Sequence, residues 1–305
     1  MKLTSWAHTN STLRRTAGDE PASPKTPSAR GAPAAPHGNE YPLNLRAADL
    51  AMFYAFPTLV YQTAYPRTPR VRRAWLAKRC LELALVLAVM ALVVTQLVLP
   101  KVAASYAPVD SGDVADVFGS VLALAVPSLS VWMLMFVALF EIWLNIVAEA
   151  TRFGDRLFYR DWWNASKFDE YWRLWNVPVH NWLVRHVFYP ILDAGYSKPA
   201  AMIAVFFVSA SLHEVLVSAP CHVLRLYAFA GMMAQIPLIY LTNILADKFP
   251  KSRVGNVLFW CTFCVFGQPL CLMIYFHDSV EAHAAAAPLA QAVHALANLT
   301  ATGEL

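Results

Sequence analysis

The chain has 305 residues, of which 58% are hydrophobic and 14% charged, against roughly 45–50% and about 25% in soluble globular domains. That excludes a disordered chain and an ordinary water-soluble domain. A formal charge of +4, from 24 basic and 20 acidic side chains, gives no basic stripe of the kind a nucleic-acid surface needs, so no nucleic-acid partner is expected. The five cysteines (Cys80, Cys221, Cys261, Cys264, Cys271) are scattered through apolar runs and form no disulfide framework. Cys261-x-x-Cys264 lacks a second pair and reads as packing, and neither a metal nor a cofactor is expected.

After Met1-Lys2-Leu3 the chain turns polar without an apolar run, so insertion is expected to use internal segments. Residues 1–42 read as a polar segment. Within it Thr16–Glu40, with five prolines among Ser, Ala and Gly, is expected to be a flexible insert. Residues 43–79 combine an amphipathic stretch, Leu43–Phe56, with the basic juxtamembrane run Pro66–Arg79. A hydrocarbon core needs about 20 helical residues. Five segments supply them: Leu81–Leu99, Val117–Val147, Ala200–Ala219, Leu224–Leu245 and Val254–Phe276. The second contains Pro127, Glu141 and Asn145 and is expected to kink or tilt.

Loop charges give one orientation. The Arg67–Arg79 run, the connection 150–198 and the Lys248/Lys251/Arg253 turn suit the cytosol, whereas 101–116, 220–222 and 277–281 suit the opposite side. Residues 281–305 are an Ala-rich tail. Its Asn298-Leu-Thr300 matches a glycosylation acceptor and is expected to stay unmodified.

The connection Phe158–Tyr189 holds five of the ten tryptophans. Phe168, Tyr171, Trp172 and Trp175 follow helical spacing, Ser166 with Asp169 resembles a capping box, and Pro178 ends the helix. Val179, Trp182, Leu183 and His186 restart the period until Pro190. The aromatics suit a belt at headgroup depth. Asp161, Asn164, Asn176, His180 and His186 beside them suit a pocket for a flat polar ligand such as an adenine-nucleotide carrier. His180 and His186 lack metal-ligand spacing.

Within the third apolar segment lie His213 and Glu214. Ionisable groups there are costly and usually functional, although a lone His can also join helices by hydrogen bonding. Glu214 is expected to pair with Arg225 or to orient the helix. Gln235 precedes Pro237 and Gln268 precedes Pro269, so each can satisfy a local helix break or line a cavity. His277-Asp278 reads as a solvated helix end.

Phe158-Tyr159-Arg160-Asp161-Trp162-Trp163-Asn164 resembles the FYxDWWN motif of the sterol and diacylglycerol branch of the membrane-bound O-acyltransferase family. Ser209-Ala210-Ser211-Leu212-His213-Glu214 resembles the context of that family's histidine. Asn176-Val177-Pro178-Val179-His180, Gly231–Leu238 and Gly267-Gln268-Pro269 follow the diacylglycerol branch. The resemblance runs from Met1 to about Asp278, with Thr16–Glu40 divergent. It implies an all-α, multi-pass transmembrane helical bundle enclosing a reaction chamber, with residues 80–280 as the catalytic region, in the endoplasmic reticulum membrane.

The resemblance further implies that His213 is catalytic, with Asn176 and Glu214. Acyl-CoA, as a substrate, would meet Trp172, Arg173, Leu174, Trp175, Asn176, Val177, Pro178, Val179, His180 and Phe188. Ser209, Met232, Gln235 and Gln268 would line the chamber. The implied reaction passes a fatty acyl group from acyl-CoA to diacylglycerol. An alcohol attacks a thioester slowly unless a base with a pKa near neutral takes its proton, which suits His, and the resulting oxyanion needs a donor, which suits Asn.

A sterol or long-chain alcohol as acceptor, and a non-catalytic form that binds lipid or a partner, stay open. In the family the stretch resembling Met1–Ser5 follows earlier membrane helices that help close the chamber and make the dimer contact. The expectation is therefore that these 305 residues hold the catalytic half, with a homo-oligomer as an open question. Past Asp278 the tail departs from the family.

Overall fold

The computed structural model describes residues 1–19, 41–249 and 252–283. Among them regular structure is helical, and the one strand-like feature is an isolated bridge between Arg67 and Phe153. In chain order the helices are α1 (Lys2–Asp19), α2 (Ala47–Ala55), α3 (Arg73–Val109), α4 (Val114–Ala150), α5 (Phe168–Trp175), α6 (Val177–Leu183), α7 (Tyr189–Asp193), α8 (Lys198–Cys221), α9 (Tyr227–Lys248) and α10 (Val254–His283). Of these, α3, α4, α8, α9 and α10, with 37, 37, 24, 22 and 30 residues, are long and apolar enough to cross a membrane. Leu81 on α3 is 72% exposed and Leu216 on α8 71%, the outward apolar face that a helix in hydrocarbon requires.

The five expected spans are all present, with shifted ends. Arg73–Arg79, expected in the juxtamembrane run, forms the first turns of α3 because nothing there breaks a helix. Span four starts at Tyr227 instead of Leu224, since Leu226 takes a left-handed conformation (φ 62°). The helix of span five runs on through His283, where a loop was expected. In α4 the helix continues through Pro127, and the irregularity falls at the π-helical stretch Val137–Trp143, around Glu141. Thr16–Asp19, expected in the flexible insert, closes α1. The rest of that insert, residues 20–40, and the tail from 284 onward, with its glycosylation motif, lie outside the described residues.

The chain divides into two compact units. The first comprises Met1–Ala91, Trp132–Val205 and Leu245–Asn256; the second comprises Leu92–Val131, Phe206–Ile244 and Val257–Leu305. In the second, Val98, Val102, Val121, Leu124 and Met273 form a buried apolar cluster.

In the first unit α1 docks through polar atoms. Its buried residues are Ser5, Thr9 and Asn10, so no apolar period marks the helix in sequence. Lys2 Nζ donates to the carbonyls of Phe53, Tyr54 and Phe56 at 2.6–2.9 Å, satisfying the C-terminal end of α2. Burial lowers the Lys2 pKa to about 8. Asn44 Nδ2 donates to Asn10 Oδ1 at 2.6 Å, the Tyr61 amide to Ser5 Oγ at 2.8 Å, and Trp182 Nε1 to the Met1 carbonyl at 2.9 Å. His186 contacts Ser5 Oγ through Nε2 at 2.7 Å and His8 Nδ1 through its own Nδ1 at 2.8 Å.

Burial first, then the His8 and Arg185 charges, lowers the His186 pKa to about 4. A freed His186 titrates near 6.5 and so binds more protons than the docked one between about 6.5 and 4. The docking free energy is therefore full above pH 6.5 and declines as pH falls toward 4. A nitroxide on Ala7→Cys should gain mobility between pH 7.5 and 5, and His186→Asn should flatten that response. A spectrum that does not change with pH would count against this linkage.

Candidate active-site elements

The FYxDWWN segment is the packing centre of the first unit. Trp162 is fully buried, with ring contacts to Trp132, Phe136, Trp163, Tyr171 and Trp175 at 5.1–5.9 Å. Trp175 stacks on Trp132 at 4.7 Å and 7°. Phe158 is buried, and Tyr159 donates to Glu141 Oε2 at 3.0 Å, its pKa raised to about 12 chiefly by burial and then by that carboxylate. Two backbone bonds clasp the segment to the residues expected to meet acyl-CoA: the Arg160 amide donates to the Leu174 carbonyl at 2.9 Å, and the Val177 amide to that of Phe158 at 3.0 Å. The aromatics are thus a scaffold for α5 and α6.

A second clasp was not visible in sequence. Asn256 Nδ2 donates to the carbonyls of Trp163 and Ala165, both at 2.9 Å. Beside it, a Cβ on Gly255 would collide with the Ser166 carbonyl oxygen. Gly255→Ala should therefore cost about 1–3 kcal/mol, read as a lower thermal midpoint in detergent. An unchanged midpoint would show that the approach is not tight.

Asn176 sits between α5 and α6 as the N-cap of α6, its Oδ1 accepting from the Val179 amide at 3.2 Å. Capping uses the acceptor end of the amide and leaves Nδ2 as the donor end, the polarity an oxyanion needs. Pro178 opens α6 instead of closing α5, which suits its missing amide hydrogen. The expected capping box is replaced: Lys167 is the N-cap of α5, without a side-chain bond, and Glu170 Oε2 accepts from the Ser166 amide at 2.9 Å. Nor does Pro190 end the segment, because it sits in the first turn of α7.

Of the other residues on this face, Arg173 is exposed and pairs with Asp169 at 3.4 Å, while Trp172, Leu174, Pro178, Val179, His180 and Phe188 are half-buried and Val177 is buried. Burial, then the Arg173 charge, lowers the His180 pKa. Asp161 and Asn164 are exposed and His186 is engaged by α1.

The second unit holds the intramembrane residues. His213 is half-buried on α8, and its Nδ1 lies 2.8 Å from the Ser209 carbonyl one turn earlier. A carbonyl only accepts, so Nδ1 carries the hydrogen and Nε2 the lone pair of the neutral ring. Because the partner is backbone, Ser209→Ala should leave this orientation intact. Turnover of that variant should stay within about twofold, as expected for a substitution that removes no hydrogen-bond partner; a collapse would assign the hydroxyl a role of its own.

Glu214, 3% exposed, forms no ion pair with the Arg225 side chain among the described residues. Its Oε1 accepts from the Leu226 amide at 3.0 Å, and its Oε2 from the Phe229 amide at 3.1 Å and the Tyr275 hydroxyl at 2.7 Å. It thereby satisfies amides at the start of α9, whose left-handed entry supplies no cap of its own. Arg225 pairs with Asp278 at 2.9 Å instead. Tyr275, 1% exposed, was missed: it sits in an apolar run where a tyrosine reads as packing.

His277 is no solvated end. It is buried, its Nε2 2.9 Å from Ser105 Oγ and its ring stacked on Tyr106 at 3.9 Å and 1°.

Gln235 is buried just past a break at Ala234, and its Nε2 donates to the Gly231 carbonyl at 3.3 Å, which serves the local helix break. Its Oε1 is buried with no partner among the described residues. Met232 is buried, Gln268 half-buried at the end of the π-helical stretch Trp260–Gly267. No group of three or more potential metal ligands occurs among the described residues.

The profile of the membrane-bound O-acyltransferase family matches residues 37–276. The chain belongs to that family. Diacylglycerol O-acyltransferase 1 of Corylus americana is 44% identical over 278 residues, covering 91% of this chain and 50% of the relative. The protein of the same name from Arabidopsis thaliana is 42% identical over 279 residues, with the same coverage of both chains, and the one from Dictyostelium discoideum 41% over 281 residues, 92% of this chain and 43% of that one. The chain thus spans about half the length of the curated relatives it matches. Membership accounts for the long apolar helices, and the matched region contains both the aromatic scaffold and His213.

Proposed function

We propose that this chain carries the catalytic region of an acyl-CoA:diacylglycerol O-acyltransferase, a multi-pass protein of the endoplasmic reticulum membrane. The diacylglycerol hydroxyl attacks the thioester carbonyl of acyl-CoA, the carbon–sulfur bond breaks, and triacylglycerol and CoA leave. His213 Nε2 takes the hydroxyl proton and returns it to the departing thiolate. Asn176 Nδ2 donates to the carbonyl oxygen as charge develops there. Trp172–His180 and Phe188 receive acyl-CoA, and Ser209, Met232, Gln235 and Gln268 line the path. Acyl-CoA is a substrate, and the reaction as written needs no cofactor.

The observation that carries this reading is the His213–Ser209 bond, which holds a lone pair on Nε2 inside an apolar helix. The acceptor is proposed from the similarity to diacylglycerol O-acyltransferases. Microsomes from cells lacking their own neutral-lipid transferases, expressing the chain and given labelled acyl-CoA with diacylglycerol, a sterol or a long-chain alcohol separately, should label triacylglycerol. Label in another ester would reassign the acceptor. An inserted protein that labels none of the three would favour a lipid- or partner-binding role.

A further inference from the structure

In the first unit Thr68, Pro69, Arg70, Arg72 and Arg156 line an open cavity of about 340 Å³. Three of the five are arginines. Glu149, its side chain 1% exposed, fixes two of them: its oxygens accept from Arg72 Nε at 3.1 Å, from an Arg72 terminal nitrogen at 2.8 Å and from one of Arg156 at 2.7 Å. One carboxylate thus offsets one of three cationic walls. Arg70 is exposed and enters no ion pair among the described residues. Thr68 Oγ1 is buried and has no hydrogen-bond partner among them. A preorganised fork of guanidinium groups is suited to a tetrahedral oxyanion such as a phosphate.

The position of the cavity indicates the source of that phosphate. Thr68, Pro69, Arg70 and Arg72 lie just before Arg73, where α3 begins, and Arg72 and Arg156 are tied to Glu149, next to last in α4, so the cavity sits where two apolar helices end. Trp75, in the first turn of α3, is surrounded by the guanidinium groups of Arg72, Arg79 and Arg156, 4.7, 5.2 and 5.7 Å from its ring centre. An aromatic among cations at a helix end marks headgroup depth. Further along α3, Leu81 and Leu85 are 72% and 64% exposed, an apolar track for acyl chains. We infer that this cavity binds the phosphate of an anionic glycerophospholipid.

The test uses the purified full chain in detergent, titrated by native mass spectrometry with dioctanoyl phosphatidylglycerol, dioctanoyl phosphatidylcholine or inorganic phosphate. Arg70→Ala combined with Thr68→Val removes the two unengaged groups and leaves the Glu149 brace intact, so its lipid-free thermal midpoint should match the parent. Phosphatidylglycerol should bind about tenfold tighter than phosphatidylcholine, as one charge-assisted contact supplies, and the double variant should lose that preference. Equal affinity for the two lipids, or a double variant that binds phosphatidylglycerol like the parent, would overturn the assignment. Displacement of phosphatidylglycerol by equimolar inorganic phosphate would overturn its lipid part.

Discussion

His213→Ala is expected to lower acyl transfer by about 10²–10⁴-fold, the usual contribution of a positioned general base, while the protein still inserts and keeps its thermal midpoint. The ring is half-buried and bonds to its own helix one turn back, and an unchanged midpoint separates the loss of a base from the loss of the fold. His213→Gln offers an amide near the same place but no base, and should be as inactive as the alanine variant. Steady-state turnover with saturating acyl-CoA and diacylglycerol reads the effect. Turnover within a few-fold of the parent in either variant would remove His213 from the chemistry.

Glu149→Ala is the substitution expected to cost the fold most. The carboxylate also accepts from the Arg72 amide at 2.6 Å, so removing it strands a backbone donor and two guanidinium groups. Breaking a buried ion pair from one side costs about 3–5 kcal/mol. The low end applies here, because the Arg72 and Arg156 side chains are 52% and 20% exposed and water can take up part of their charge. Glu149→Gln, which keeps the volume and some hydrogen bonds, should fall between. The readouts are the thermal midpoint and tryptic cleavage after Arg72 and Arg156. If both were unchanged in the alanine variant, the bridge would hold nothing together.

The spans were legible because a long apolar run has few alternatives to a membrane helix, and α5 was legible because its aromatics keep helical spacing. The partners of single polar residues were not. Glu149 meets Arg72 across 77 positions, and Glu214 meets Tyr275 across 61, distances at which sequence patterning carries no information. A charged residue at the end of an apolar helix was nevertheless a usable signal for Glu149. Arg225 was the nearest cation to Glu214 in sequence, yet the backbone amides of a helix start compete for a carboxylate as well as a guanidinium does. Gly255 and Asn256 gave no signal, because a close backbone approach is a property of the pair and not of either residue.

The polar face of α1 has a consequence for handling the protein. A segment held by Lys2, Ser5, His8 and Asn10 can peel away without leaving a greasy scar on itself, since water replaces most of what these side chains give up. Such a segment is suited to reversible attachment. Tags or truncations at this end would loosen the clasp quietly, and its loss would be seen in spectroscopy sooner than in aggregation.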